Sequence, residues 1–264
     1  MIFHQIFSII LLFFVSVANA QMDDNFYQPS KEMKPFQFKN TVEYVQLPTD
    51  RDTITAYIAK PEGKPNHKTI IYFHGASGNV TTYQFMTKPL VEAGFQLVMV
   101  DVRGYGKSTG KPTHANVASD SQKMFDYVRN LPNIKNTKIY LYGASLGSQV
   151  ASNLAKNNSS HISGLILDGP MQSFTEIAAH YAPQYKNEIR TMMVSPYSAI
   201  QDVALVNVPK LIITTKEDKT IPYIQQNAVY EAAIQPKIRF ESSGDHLQGL
   251  VNNREELLKI IQSL

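Results

Sequence analysis

The chain has 264 residues, of which 43% are hydrophobic and 18% charged, a balance typical of a globular protein with a sizeable core. The net charge is only +3, and no run of Lys or Arg is dense enough to follow a phosphate backbone, so nucleic acid is not an expected partner. The chain has no cysteine, which excludes disulfides, a thiol nucleophile and a thiolate metal site.

The first twenty residues have the pattern of a secretion signal. Residues 6–17 are almost wholly apolar and lead into Ala18-Asn19-Ala20, a small-x-small sequence that signal peptidase accepts. We therefore expect residues 1–20 to be a cleaved signal peptide, which leaves no transmembrane span, and the protein to be exported, periplasmic or secreted. The apolar run is shorter than the roughly 20 residues that span a bilayer as a helix, and an uncleaved anchor stays open as the alternative. The weak point of the export prediction is that no Lys or Arg precedes the apolar run.

A polar segment and a series of strands follow the signal. Residues 21–39 contain Pro29 and Pro35 and are interpreted as an extended N-terminal arm, and residues 40–264 as one domain. Eight short runs in this domain are rich in β-forming residues and predict strands over 41–47, 53–59, 69–73, 96–102, 138–142, 164–167, 210–215 and 237–241.

Helical patterns alternate with these strands. Apolar residues recur at spacings of three and four over 81–93, 117–130, 146–157, 224–233 and 248–262. Several strands, such as residues 97–100, are continuously apolar, as strands covered on both faces must be. The first two strands join directly through residues 48–52 as a hairpin. The sequence thus predicts an α/β fold: a mostly parallel, eight-stranded, doubly wound sheet with an N-terminal antiparallel hairpin and helices on both faces.

The longest stretch between predicted strands, residues 168–208, is rich in Met and Tyr. It fits one crossover helix with loops, and it equally fits a small lid over a binding cleft, because long loops at strand ends are often functional. Its Met and Tyr side chains can likewise belong to the core or line an apolar acyl site. Both interpretations stay open.

Residues 143–147 read Gly-Ala-Ser-Leu-Gly directly between a predicted strand and a predicted helix. G-x-S-x-G in this context is the nucleophile elbow, a strained turn in which the two glycines leave room for the flanking strand and helix. The turn would expose the Ser145 hydroxyl at a helix N-terminus, where backbone N–H groups can face a developing negative charge. Ser145 is therefore the candidate nucleophile.

A serine hydroxyl needs a base and an orienting acid, and along such chains the order is serine, then acid, then histidine. Three histidines follow Ser145, and His246 comes after the last predicted strand, at the sheet edge that carries the elbow. His161 precedes a strand and is expected at the opposite edge, and His180 lies in the 168–208 stretch. His246 is therefore the candidate base.

The acid is expected after a strand that lies between Ser145 and His246 in the chain. Glu217 and Asp218 follow the strand over 210–215, and Asp168 follows the strand over 164–167. Any of them could instead be a solvated loop carboxylate or a helix cap. Spacing alone does not choose between the three.

Four segments in order resemble the α/β-hydrolase family, and more narrowly its small, lid-poor Bem46-like branch of serine hydrolases, from Val42 to the C-terminus. They are residues 74–79 (HGASGN), 101–108 (DVRGYGKS), the elbow, and residues 218–222 (DKTIP) together with 244–246 (GDH). The resemblance implies Asp218 as the acid and the backbone N–H groups of Ala76 and Leu146 as the oxyanion hole. It also implies a structural role for His74 and a scaffold role for Asp101 and Arg103, a pair that looks like an ion pair.

These residues predict an exported serine hydrolase that works by two-step acyl transfer through a Ser145–His246–Asp218 triad, without metal or cofactor. The expected partner is a small-molecule carboxylic ester or acyl lipid. Peptidase, thioesterase and acyltransferase activities use the same triad and stay open, as does a non-catalytic binding protein on this scaffold. The sequon Asn79-Val80-Thr81 lies in the predicted oxyanion loop, where a glycan would block the site, which favours a bacterial protein.

Overall fold

A computed structural model describes residues 23–264, and the predicted signal peptide lies outside them. Within these residues the strands are β1 (Gln28–Pro29), β2 (Glu43–Pro48), β3 (Thr53–Ala59), β4 (Lys68–Phe73), β5 (Ser77–Gly78), β6 (Gln96–Asp101), β7 (Lys138–Ala144), β8 (Gly164–Asp168), β9 (Lys210–Thr214) and β10 (Lys237–Glu241). The α-helices are α1 (Gln84–Glu92), α2 (His114–Val128), α3 (Gly147–Asn157), α4 (Phe174–Tyr181), α5 (Lys186–Met192), α6 (Ala199–Val203), α7 (Tyr223–Ala232), α8 (Gly249–Asn252) and α9 (Arg254–Ser263).

Eight of these strands form one sheet in the order β2-β3-β6-β4-β7-β8-β9-β10. β2 pairs antiparallel with β3, and β3 pairs antiparallel with β6, whereas the pairs from β6 through β4 to β10 are all parallel. The predicted α/β architecture with its N-terminal hairpin is therefore confirmed. The parallel strands all end at one edge, where the loops after β7, β8, β9 and β10 meet.

The core lies on both faces of the sheet, as the continuously apolar strands predict. Alternate side chains of each central strand point to opposite faces, so that Ile71 and Phe73 of β4 pack in one cluster and Ile70 and Tyr72 in the other. The first cluster includes residues of α2 and α3, and the second includes residues of α1 and α9. The sheet is thus covered by helices on both sides, and its strand ends are held rigidly.

Three helical segments are organised differently from the sequence-based prediction. The helix predicted over 81–93 begins with a 3-10 turn, Val80–Tyr83, before α1. The helix predicted over 248–262 is two helices, because Asn253 leaves the helical conformation and its side-chain oxygen accepts the Ser243 N–H at 2.9 Å. Residues 168–208 hold three short helices, α4, α5 and α6, rather than one crossover helix.

The N-terminal segment takes part in the fold through main-chain hydrogen bonds. β1 pairs in parallel with β5, and the two strands form a second sheet that is separate from the large one. Beyond β1, the described chain has no regular secondary structure until β2. Among residues 23–264, no helix combines the length and the apolar character that a membrane crossing requires.

Candidate active site

The elbow lies between the end of β7 and the start of α3. Ser145 has a φ of 53°, in the left-handed region. The residue is largely buried, with 8% of its surface exposed. A Cβ on Gly143 would overlap the carbonyl of Gly147, and a Cβ on Gly147 would overlap the carbonyl of Phe73. The two glycines are therefore required for a backbone turn this tight, as the sequence pattern predicts.

The candidate acid and base lie in the loops after β9 and β10, where the structure brings them into contact. The Nδ1–H of His246 donates to Asp218 Oδ2 at 2.6 Å, and the Asp218 side chain is fully buried. The other Asp218 oxygen accepts the N–H groups of Thr220 and Ile221 at 2.8 and 2.7 Å. A carboxylate held in place by these donors fixes the orientation of the imidazole ring. Glu217, the neighbouring alternative, is exposed.

The imidazole lies beside the elbow. The Ser145 N–H donates to the carbonyl of Asp168 at 2.9 Å, and a Cβ on the next residue, Gly169, would lie 2.9 Å from Cε1 of His246. The Nε2 atom of His246 is buried and has no hydrogen-bond partner among residues 23–264, Ser145 Oγ included. With Nδ1 bound to Asp218, this unpaired Nε2 is the atom free to accept a proton. A hydrogen bond between a catalytic serine and histidine often forms fully only when substrate binds.

Asp168, the third candidate acid, lies close to this pair but faces another partner. Its Oδ2 accepts the Tyr142 hydroxyl at 2.7 Å. Burial raises the pKa of Asp168 to about 6, an effect that the Tyr142 hydrogen bond and the charge of His246 oppose. Asp168 therefore lies near the imidazole, with its carboxyl hydrogen-bonded to a tyrosine rather than to the ring.

The predicted oxyanion residues lie on either side of Ser145. A Cβ on Gly75, which precedes Ala76, would lie 3.3 Å from the Cβ of Ser145, and Leu146 follows Ser145 directly. Within the described part of the chain, neither the Ala76 N–H nor the Leu146 N–H donates a backbone hydrogen bond. Two unpaired amides next to a serine hydroxyl can both receive a negatively charged oxygen.

A cavity of about 580 Å³ opens beside Ser145, Ala76 and Leu146. Most of its wall is apolar and comes from the N-terminal segment and from residues 168–208, and none of the described residues that line it is charged. The apolar lining includes Phe26, Met171, Ile177, Ile189, Met193 and Ile221. The cavity therefore suits a neutral, apolar group attached to the atom that Ser145 would attack.

Comparisons with known proteins agree with this architecture. The family model described as serine aminopeptidase S33, Hydrolase_4, matches residues 64–195. The chain is 29% identical to protein bem46 of Schizosaccharomyces pombe over 82% of its own length and 75% of that protein's. It is 26% identical to the uncharacterized protein YfhR of Salmonella typhimurium over 89% of both chains. The esterase Pf2001 of Pyrococcus furiosus superposes with a TM-score of 0.72 at 16% identity, over 89% of this chain and 97% of that one.

The chain is an α/β-hydrolase. The family model covers half of the sequence, including the predicted oxyanion loop and the elbow, and the relatives place the chain in the Bem46-like branch. The resemblance that the four motifs carry is thereby confirmed. The solved structure, at 16% identity, adds support for the fold alone.

The hydrolase scaffold uses Asp101 and Arg103 separately, so the ion pair that their spacing suggests does not form. Asp101 Oδ1 accepts the N–H of Val80 at 2.8 Å, whereas Arg103 pairs with Asp52 and Asp120. Arg103 thus ties the turn after β6 to the β2–β3 hairpin and to α2.

Burial also governs His74, which follows β4. Its Nδ1–H donates to the carbonyl of Gly75 at 2.7 Å, because a carbonyl oxygen can only accept. Burial lowers the pKa of His74 and raises the pKa of Asp101, although the His74 Nε2 and Asp101 Oδ1 atoms are only 3.9 Å apart. A neutral, fully buried His74 suits the structural role that the resemblance implies.

The remaining histidines of the sequence analysis lie apart from the site. His161 is exposed in the turn before β8, and His180 is exposed on α4. Within residues 23–264, no group of three or more acidic or histidine side chains is arranged to hold a metal ion.

The sequence reasoning did not find the contribution of the N-terminal segment. Phe26 and Gln28 line the cavity, and the hydroxyl of Tyr105, a residue of the DVRGYGKS motif, contacts Ala76. The sequence signal for this contribution was the adjacent aromatic pair Phe26-Tyr27 in an arm with many polar residues.

Proposed function

We propose that the chain is a serine hydrolase that cleaves neutral carboxylic esters by two-step acyl transfer. One observation carries the proposal: His246 has its Nδ1–H bound to the buried Asp218 at 2.6 Å, while its buried Nε2 is unpaired beside the Ser145 elbow. This is the arrangement in which an imidazole accepts a proton from a serine hydroxyl.

In the first step, Ser145 Oγ attacks the ester carbonyl carbon, and its proton moves to His246 Nε2. The carbonyl oxygen becomes an oxyanion that the N–H groups of Ala76 and Leu146 stabilise, and each such donor contributes on the order of 3 kcal/mol to lowering the barrier. The tetrahedral intermediate then breaks the bond to the alcohol oxygen, which takes the proton from the imidazolium. The alcohol leaves, and an acyl-serine remains.

In the second step, water attacks the acyl-serine carbonyl and gives a proton to His246 Nε2. The same two amides stabilise the second oxyanion. Collapse returns the proton to Ser145 Oγ and releases the carboxylic acid. In both steps Asp218 stabilises the imidazolium and holds the ring orientation.

The cavity favours esters over the aminopeptidase substrates that the family description names. An aminopeptidase must bind a free α-ammonium group, and burying that charge without a carboxylate nearby is costly. No charged side chain lines the described cavity, and its wall is largely apolar. The P. furiosus esterase of similar fold is consistent with this choice. Ester and acyl-lipid substrates both suit the cavity, and acyl-chain length separates them by experiment.

The test is labelling of the purified protein with a fluorophosphonate probe, together with hydrolysis of p-nitrophenyl acetate, butyrate, octanoate and palmitate. The Ser145→Ala variant should lose labelling and all turnover. The matched control is Ser160→Ala, which removes the hydroxyl of an exposed serine far from the elbow and should behave as wild type. Wild-type protein that is folded but neither labels nor cleaves any of the four esters contradicts the proposal and favours a binding protein.

Export is a further part of this proposal. Its support is the apolar run at residues 6–17 followed by Ala18-Asn19-Ala20, outside the described residues. Expression of the full chain in a bacterium, followed by fractionation and mass spectrometry, should give a periplasmic or secreted protein that begins at Gln21. Recovery of the uncleaved chain in the cytoplasm contradicts export.

A further inference from the structure

The residue that would supply the first oxyanion N–H, Ala76, is held on both of its peptide groups. On the N-terminal side, the Gly75 carbonyl accepts the Nδ1–H of His74 at 2.7 Å. Since N–H and C=O point in opposite directions in a trans peptide, this bond turns the Ala76 N–H away from His74. On the C-terminal side, the Ala76 carbonyl accepts the Tyr105 hydroxyl at 2.5 Å.

The N-terminal segment supplies the remaining hydrogen bonds to this loop. The N–H of Gln28 donates to the Ala76 carbonyl at 2.9 Å and lies 3.0 Å from the Tyr105 hydroxyl. The N–H of Ser30 donates to the carbonyl of Gly78 at 2.8 Å, and the Ser77 hydroxyl donates to the side chain of Gln28 at 2.7 Å. The oxyanion loop therefore gains a parallel strand partner, β1, from the first described residues of the chain.

This segment is itself anchored in the core. The Tyr27 hydroxyl is hydrogen-bonded to His114 Nδ1 at 2.9 Å, and Asp23 Oδ2 accepts the backbone N–H of His114 at 2.8 Å. Tyr27 is 6% exposed, and the His114 ring stacks on Phe174 of α4 with 3.6 Å between ring centroids. Buried contacts on this scale hold the segment in place far better than its main-chain bonds alone.

Between the anchor and β1, one side chain faces the candidate substrate. Phe26 lines the cavity beside Ser145, and its ring packs edge-on against Phe174 at 5.3 Å. Phe26 is partly buried, so its ring both closes the cavity wall and stays accessible to a bound group.

We propose that residues 23–30 are a working part of the active site. The Gln28 main chain and the Tyr105 hydroxyl are positioning groups that fix the Ala76 amide for oxyanion binding, and Phe26 limits the size of the acyl group. The inference rests on the proposed function and deepens it, because it assigns positioning and selectivity to residues outside the triad and the oxyanion amides.

The positioning role is tested with Tyr105→Phe, which removes only the hydroxyl. Full loss of an oxyanion donor costs 10²–10³ in kcat, so a loosened donor should lower kcat about 10-fold, with KM unchanged, for every ester that wild type cleaves. The affinity for a trifluoromethyl ketone, which forms the tetrahedral adduct, should fall by about the same factor. The control is Tyr72→Phe, another fully buried tyrosine whose hydroxyl bonds to the sulfur of Met86.

A merely structural role would give a different result. Tyr105→Phe would then lower the melting temperature and the amount of active protein, as measured by active-site titration with the fluorophosphonate, while kcat per titrated site and ketone affinity stayed as in Tyr72→Phe. That outcome overturns the positioning role.

The selectivity role is tested with Phe26→Ala. Removing the ring enlarges the cavity, so the ratio of kcat/KM for a branched or aromatic acyl ester to that for butyrate should rise about 5-fold, within the range of discrimination that one apolar group supplies. The matched control is Phe36→Ala, a few residues further along the N-terminal arm, whose ring packs on Phe38 and Tyr57 outside the cavity. Equal selectivity in the two variants overturns the role of Phe26.

Failure of this inference and failure of the proposed function give different results. If wild type neither labels nor cleaves esters, the proposed function fails before any of these variants is made. If wild type is active and Ser145→Ala is not, but Tyr105→Phe and Phe26→Ala match their controls, the inference fails and the proposed function stands.

Discussion

The residues proposed for chemistry and the residues that shape the cavity are held in the molecule by different means. Ser145, Asp218 and His246 follow three parallel strands of the large sheet, β7, β9 and β10. Phe26, Ile177 and Met193 come from the N-terminal segment and from residues 168–208, neither of which adds a strand to that sheet. The difference suggests that rate and selectivity can change separately in this molecule, since changes in one region leave the other in place.

The largest expected effect is at the strand ends, in Asp218→Asn. The amide keeps the side-chain shape but no longer stabilises the imidazolium, so kcat should fall about 10³- to 10⁴-fold. The loss should be equal for butyrate and octanoate esters. The control is Glu217→Gln, which neutralises the exposed carboxylate next to it and should keep wild-type rates. A large loss in Glu217→Gln with little in Asp218→Asn would reverse the assignment.

The next largest effect concerns the elbow itself. A Cβ in Gly147→Ala would overlap the main-chain carbonyl of Phe73, which the sheet prevents from moving. Urea unfolding should show a loss of about 3 kcal/mol, at the upper end of overpacking costs. In the control Gly249→Ala, the added Cβ would meet only side-chain atoms at 3.3–3.4 Å, so the loss should be much smaller. Similar stabilities in the two variants would contradict the close approach of α3 to β4.

A third effect depends on pH and concerns Asp168. Burial raises the pKa of this carboxyl to about 6 from an ordinary value of 3.8, so the folded state binds its proton more tightly than the unfolded state. Its contribution to stability is complete below about pH 4 and is lost as the pH rises through 6. Because the pKa rises by about two units, the loss is on the order of 2–3 kcal/mol.

The Asp168→Asn variant does not titrate, so its melting temperature relative to wild type should rise between pH 4 and pH 7. Asp126→Asn, which replaces an exposed carboxylate on α2, is the control and should show little change in this difference. A difference that is flat with pH for Asp168→Asn would show that the carboxyl is not strained by its burial.

The smallest effect is at the cavity wall, where Ile177→Trp fills space without touching the strand ends. The activity on octanoate should fall about 10-fold, while the activity on acetate stays near wild type. Ile224→Trp, at a side chain that is 76% exposed on α7, is the control. Equal losses on both esters in Ile177→Trp would show that the wall and the strand ends are coupled, so that rate and selectivity do not change separately.

Much of the fold was predictable because its strands have strong patterns. β3 and β10 have the predicted bounds, since turn residues flank both runs. β7 continues two residues further than predicted, because Gly143 and Ala144 still pair with Leu167 and Asp168 of β8. The pair of β1 and β5 was not predicted. Each of these strands has only two residues, Gln-Pro and Ser-Gly, which show no strand pattern and pair only because the tertiary structure brings them together.

The candidate site divides in the same way. The contact between Asp218 and His246 was expected from motif order, and the structure contains it at 2.6 Å. The contact between Gln28 and Ala76 was not expected from the sequence. It joins two main-chain atoms, and no side-chain motif marks such a hydrogen bond. Whether Ser145, His246 and Asp218 act together remains a prediction that the variants above test.

The pairing of β1 with β5 brings the beginning of the described chain to a site whose base lies close to its end. The cavity wall at Phe26 and the loop that carries His246 thus both come to the Ser145 elbow only after almost the whole chain has folded. A chain cut short at either end would keep most of its sheet and yet lack part of the site. The proposed ester turnover would therefore report whether a preparation of this protein is completely folded, which secondary-structure content alone would miss.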